Sequence, residues 1–179
     1  MRIKSLGIVG LWIGFIILII FLGRGLMLNP NLLPSQLIGK PFPNFELYTL
    51  SDEPKLMVSE ALKGEPYLVH VWATWCGVCL QEHPIWLEIQ EKWQPKIIGV
   101  SYKDPAKRAL HWLNTQGNPY FFDLDDKGGK LGLELGVYGT PETYVVDDTG
   151  IIRYRHVGAI SLEQFENHIQ PLLKPQEKG

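Results

Sequence analysis

The 179-residue chain contains two cysteines, Cys76 and Cys79, with two residues between them. Neither can staple distant parts of the chain, so a disulfide-built scaffold is excluded. Their flanks constrain the fold. Residues 67–72 form a short β-rich run, residues 77–93 carry helical spacing, and residues 96–101 read as a buried strand. Strand, helix, strand in that order implies a parallel βαβ unit with the cysteines at its first turn.

The remainder continues the alternation. Asp104-Pro105 opens a second helix, with Asp104 as N-cap and Pro105 in its first turn, ending near Gly117. Residues 120–124 read as another strand. Residues 143–147 and 151–156 flank Asp148-Thr149-Gly150, a hairpin signal. Ser161 and Gln164 are spaced as a capping box for a last amphipathic helix running to about Leu173. The fold class is α/β, with a sheet of parallel and antiparallel parts flanked by helices.

No charged residue occurs from Ser5 to Gly23, and the run from Ile8 to Leu22 is almost wholly apolar. Such a length spans a bilayer as a helix, and an all-round apolar stretch is ill suited to a one-sided core helix. No small-x-small site follows it in residues 23–27, which favours an uncleaved anchor over a signal peptide. Arg2 and Lys4 before the run favour a cytoplasmic N-terminus, with the body exported. The expected organisation is an anchor over residues 1–24, a linker over 25–37 containing Asn29-Pro30-Asn31 and Pro34, and one domain over 38–179.

All 19 acidic residues lie beyond the anchor, against 14 basic ones there. That balance leaves no basic excess for a phosphate backbone, so nucleic acid is not an expected partner. Asp123, Asp125, Gly128 and Glu134 fall on the spacing of a calcium loop, but Lys127 puts an ammonium where a ligand oxygen belongs, so this stretch reads as a polar turn and no metal is expected.

The chemistry belongs to Trp75-Cys76-Gly77-Val78-Cys79. Cys76 at a helix N-terminus meets unpaired N–H groups and the positive end of the helix dipole, which favour the thiolate. Cys79, one turn deeper, is placed to attack a mixed disulfide formed at Cys76 and release the substrate thiol. Half of a zinc site is the competing reading, but a closed site needs four ligands, and the remaining histidines are scattered.

These residues, Pro84 five positions beyond Cys79, and Thr140-Pro141 before the late hairpin resemble the thioredoxin superfamily. Residues 71–76, 117–120, 135–143 and 151–156 resemble its CcmG/DsbE branch, membrane-anchored reductases of bacterial cytochrome c maturation. The resemblance covers about residues 38–173. It implies a thioredoxin-like fold with an N-terminal transmembrane helix, a cis Thr140-Pro141 bond, and catalysis by Cys76 and Cys79. It also implies a substrate surface of Trp75, Thr140, Pro141 and Glu142, with Glu82 and Pro84 in support. The position six before Cys76, often a buried acid in thioredoxins, is His70 here and reads as a core residue. Trp72, His83 and Trp86 read as helix packing or groove walls.

The resemblance further implies a thiol:disulfide oxidoreductase acting as a reductant on the periplasmic side of a bacterial inner membrane, held in lipid by residues 5–23. Its substrates would be apocytochrome c or a CcmH-like maturation protein. Its electrons would come from a DsbD- or CcdA-type membrane reductase, since the redox-active Cys76–Cys79 pair is the only redox centre expected and no other cofactor is. A general periplasmic reductase or oxidant, or a tethered apocytochrome-binding module, are the alternatives.

Overall fold

The computed structural model describes residues 2–27 and 37–173. The chain divides between Pro34 and Ser35 into two units. Residues 28–36 of the expected linker and 174–179 of the expected domain lie outside the described residues.

The first unit contains helix α1, Arg2–Met27. Leu11, Trp12, Phe15, Ile16 and Phe21 are all more than half exposed on it. Among the described residues, no helix is long and apolar enough to cross a membrane.

The second unit is built on a five-stranded sheet in the order β5-β4-β3-β6-β7. Its strands are β3 (Tyr67–Trp72), β4 (Ile97–Tyr102), β5 (Phe122–Asp126), β6 (Glu142–Val146) and β7 (Ile152–Val157). β3, β4 and β5 run parallel, whereas β6 and β7 are antiparallel additions. A small hairpin of β1 (Glu46–Tyr48) and β2 (Leu56–Val58) forms a separate two-stranded sheet, tied to β5 through Thr49 and Leu50. The helices are α2 (Gly77–Trp93), α3 (Ala106–Gln116), the short α4 (Lys130–Glu134) and α5 (Leu162–Gln164).

Because strand side chains alternate between faces, the sheet has two cores. Leu68, Trp72 and Val145 pack on one face with Trp86 and Ile89 of α2, Leu113 of α3, and Phe165. Tyr67, Val69, Val71, Tyr144 and Val146 pack on the other with Phe42, Phe45 and Leu135. β3 is central and buried along its whole length, His70 included.

Three local expectations shift. α3 begins at Ala106 with Pro105 as its cap, and Asp104 does not cap it, because that carboxylate is taken by Thr74. β5 begins at Phe122 rather than Tyr120, since the Asn118 side chain accepts the Tyr120 N–H and turns the chain before pairing starts. The Ser161–Gln164 capping box forms, but the helix it opens is α-helical only to Gln164 and continues as a π turn (Phe165–Ile169) and a 3-10 turn (Gln170–Leu173).

Candidate active site

The central strand delivers the cysteines. After Trp72, the chain turns through residues 73–75, where the buried Asp104 accepts both the backbone N–H and the hydroxyl of Thr74. The Trp75 indole N–H points to the Tyr102 and Lys103 carbonyls at 3.3 and 3.2 Å, leaving the ring half exposed beside the site. Cys76 is then the N-cap of α2, and its sulfur accepts the Cys79 N–H at 3.1 Å. This is the partner a sulfur anion needs at a helix start.

Cys76 and Cys79 form a disulfide. In this oxidised form Cys76 is 6 % exposed and Cys79 3 %. Both sulfurs are therefore enclosed, and the exposed rim is supplied by Trp75, Gly77 and Val78. The Thr140–Pro141 peptide is cis, and the Thr140 carbonyl lies 3.4 Å from Cys76 Sγ. Pro84 sits on the exposed side of α2, where it removes one backbone donor from the helix.

Neither Glu82 nor Glu142 lies on a solvated face. Glu142 is fully buried on the Tyr144 side of the sheet, one residue after the cis proline. Its Oε2 accepts the Tyr144 hydroxyl at 2.6 Å and Arg155 Nε and Nη2 at 2.9 and 2.7 Å. Burial, then the charge of Glu142, raise the Tyr144 pKa and keep its hydroxyl a donor. Glu142 is thus enclosed in an ion pair, and any effect on a bound partner would have to pass through its neighbours.

Glu82 lies on the opposite face, in α2, three residues past Cys79. Its Oε2 accepts the Ile160 N–H at 2.9 Å and its Oε1 meets His70 Nε2 at 2.9 Å. His70 Nδ1 in turn meets the Tyr120 hydroxyl at 3.0 Å. Burial pushes the Tyr120 hydroxyl well above its ordinary pKa, with Asp123 and Glu82 adding to the effect. His70 is therefore a core residue, as read, but one with two buried polar partners.

Asp123 extends this row. β3, β4 and β5 set His70, Gly99 and Asp123 side by side. The bare Gly99 leaves space that the Tyr120 ring and the Asp123 carboxyl occupy. Asp123 Oδ2 accepts the Trp72 indole N–H at 2.9 Å, while Oδ1 has no hydrogen-bond partner. Burial pushes its pKa up to about 8, against the lowering effect of the Trp72 bond. His83 differs: its Nε2 meets the Gly117 carbonyl, and burial lowers its pKa.

Asp104, Tyr120 and Arg155 are the site residues that sequence reasoning missed. Two signals could have found part of this: a glycine inside an apolar strand marks a close approach, and the alternation of Glu142 and Tyr144 puts both side chains on one face.

A disulfide at the N-terminus of the first helix after a central strand, with a cis proline against it, defines a thioredoxin-like thiol:disulfide oxidoreductase. The Redoxin family model matches residues 37–169. The thiol:disulfide interchange protein DsbE of Pseudomonas aeruginosa is 46% identical over 158 residues, spanning 88% of this chain and 87% of the relative. That of Escherichia coli K12 is 42% identical over 151 residues, spanning 84% and 81%. Among solved structures, a DsbE from Chlorobium tepidum superposes with TM-score 0.65 at 24% identity, covering 76% of this chain and 97% of that one. A Plasmodium vivax 2-Cys peroxiredoxin superposes with TM-score 0.63 at 16% identity, covering 73% and 78%. These two structures establish the fold alone. The chain belongs to the DsbE thiol:disulfide interchange proteins of the Redoxin family.

Proposed function

We propose that this oxidoreductase works as a membrane-anchored reductant in cytochrome c biogenesis, on the periplasmic side of a bacterial inner membrane. The observation that carries the reductant direction is the surroundings of Cys76. Its sulfur has the Cys79 N–H and the helix start to favour an anion. Gly77 and Val78 add no cation, and the guanidinium of Arg155 is committed to Glu142. With little to stabilise the thiolate, the disulfide is the favoured form and the dithiol gives up electrons readily. The reduction potential of the purified protein should lie nearer about −270 mV than about −120 mV, and a value above about −170 mV would overturn the reductant assignment.

Apocytochrome c or a CcmH-like maturation protein is the disulfide substrate in this reading, and a DsbD- or CcdA-type membrane reductase the electron donor. The support is the likeness to DsbE proteins over most of the chain. Haem attachment should fail in a Cys76→Ser/Cys79→Ser variant, whereas a tethered apocytochrome-binding module would keep most of its function.

The anchor reading rests on the uncharged run from Ser5 to Gly23 and on the large apolar side chains exposed along α1. A reporter fused after Gly179 should show periplasmic activity, and the intact chain should resist high-salt extraction from membranes. Cytoplasmic exposure of that reporter would sink both topology and role.

A further inference from the structure

Three segments that border the turn and the disulfide differ in charge. Residues 73–81, which carry the turn and the start of α2, hold no charged side chain, and neither do residues 136–141 up to the cis proline. Glu142, the next residue, is paired with Arg155. The third segment, residues 103–108 between β4 and α3, has Lys103, Lys107 and Arg108 against the single acid Asp104. Asp104 is buried and bonded to Thr74, so this border shows cations to solvent. Beyond residue 24 the chain has 14 basic against 19 acidic residues. The site therefore carries a positive border on a body of the opposite net charge.

Two of these cations are held against the turn. The Lys103 carbonyl accepts the Trp75 indole N–H at 3.2 Å, from a backbone in the left-handed region with φ 49°. Its stem crosses Gly129, where a side chain would collide with it, and its ammonium lies 5.0 Å from the Tyr102 ring centroid. Arg108 Nε lies 3.4 Å from Asp104 Oδ1, the oxygen that also accepts the Thr74 hydroxyl, and the Arg108 side chain is more than half exposed. Lys107 differs, because it shares a cleft with Asp52 and Asp125, which offset its charge.

We propose that Lys103 and Arg108, with the half-exposed Trp75 between them and the disulfide, dock an acidic segment of the partner protein, one that carries Asp or Glu close to its own cysteines. This rests on the disulfide exchange assigned above and holds for whichever protein is the substrate. A partner chain that covers Trp75 meets the Lys103 segment to which that indole is bonded. Among the described residues neither cation touches Cys76, whose sulfur meets the Cys79 N–H and the Thr140 carbonyl. The surface therefore steers and selects the partner, as complementary charge at an interface does, and leaves bond exchange to the dithiol.

The test uses the reduced full-length chain in detergent and three synthetic peptides of equal length. Each is closed by one Cys-x-x-Cys disulfide and flanked by glutamate, glutamine or lysine. Rates come from acid-quenched samples, with the freed peptide thiols counted by mass spectrometry. At low salt, wild type should reduce the glutamate peptide about tenfold faster than the lysine peptide. At about 0.5 M salt, where exposed charges are screened within a few ångströms, the ratio should fall to about twofold or less. Lys103→Gln/Arg108→Gln should bring the low-salt ratio close to one. Lys92→Gln/Lys96→Gln, which removes the same charge near the far end of α2 and the start of β4, should keep the preference. Equal rates for the three peptides in wild type, or a preference that survives in Lys103→Gln/Arg108→Gln, would overturn the docking surface. Equal loss of preference in both double variants would overturn it too, by assigning the effect to net charge. If the Arg108 variant does not fold, an unchanged ratio in Lys103→Gln alone overturns the proposal equally. Failure of wild type to reduce any of the peptides would instead refute the exchange chemistry itself.

Discussion

Arg155 closes on one oxygen of Glu142 with both Nε and Nη2, so the carboxylate beside the cis proline is buried as half of an ion pair. Its other oxygen, Oε1, is buried without a hydrogen-bond partner. Removing the guanidinium strands a charge in the core. Arg155→Leu should therefore cost about 3–5 kcal/mol in urea unfolding, while Glu142→Gln, which keeps an acceptor for Arg155 and Tyr144, should cost less. Glu142→Gln should also leave reduction of a small disulfide nearly unchanged while weakening capture of protein partners. Equal losses for both variants would show that pairing is not what holds this corner together.

Asp123 should make stability fall as pH rises. Its carboxyl titrates at about 8 in the folded chain against an ordinary value of 3.8, so between these the folded state binds a proton that the unfolded state has lost. The contribution is fully present below the ordinary carboxylate range and declines by at most about 1.4 kcal/mol per pH unit until the folded pKa is passed. Asp126, also raised by burial, acts in the same direction and is present in both proteins compared. Urea midpoints measured from pH 4.5 to 8 should fall less steeply in Asp123→Asn than in wild type, and parallel curves would contradict the buried neutral acid.

Gly99→Ala should be costly despite its small size. The added Cβ would lie 2.7 Å from Asp123 Oδ1 and 2.8 Å from a Tyr120 ring carbon, both in a closed core. Overpacking of this kind costs about 1–3 kcal/mol. Adding Asp123→Ala should recover part of the loss in a thermal melt, and no recovery would place the strain elsewhere.

The two thiols should divide their work. Cys76 holds the helix start and Cys79 the deeper turn, so Cys79→Ala should trap covalent complexes with protein partners, whereas Cys76→Ala should trap few. Non-reducing gels of cells expressing each variant read this directly. Comparable capture by Cys76→Ala would reverse the assignment.

Much of the framework was legible in local pattern. The β-rich run ending at Trp72, the cysteines at the start of α2, the turn around Asp148-Thr149-Gly150 and the Ser161–Gln164 box each depend on neighbours a few residues away, and each stands where its spacing indicated. Burial of the acids was not legible, because a carboxylate on a helix or strand shows its face but not its partner. Glu82 finds His70 twelve positions back and the Ile160 N–H 78 positions ahead. Asp104 looks like a helix cap by its neighbours, yet a backbone donor 30 positions away holds it instead. The order of elements and the position of the reactive dithiol follow from periodicity and helix-end chemistry, which are local to the chain. Which ionisable groups are enclosed, and with which partners, follows from the folded sheet, because desolvation and pairing depend on what it brings alongside.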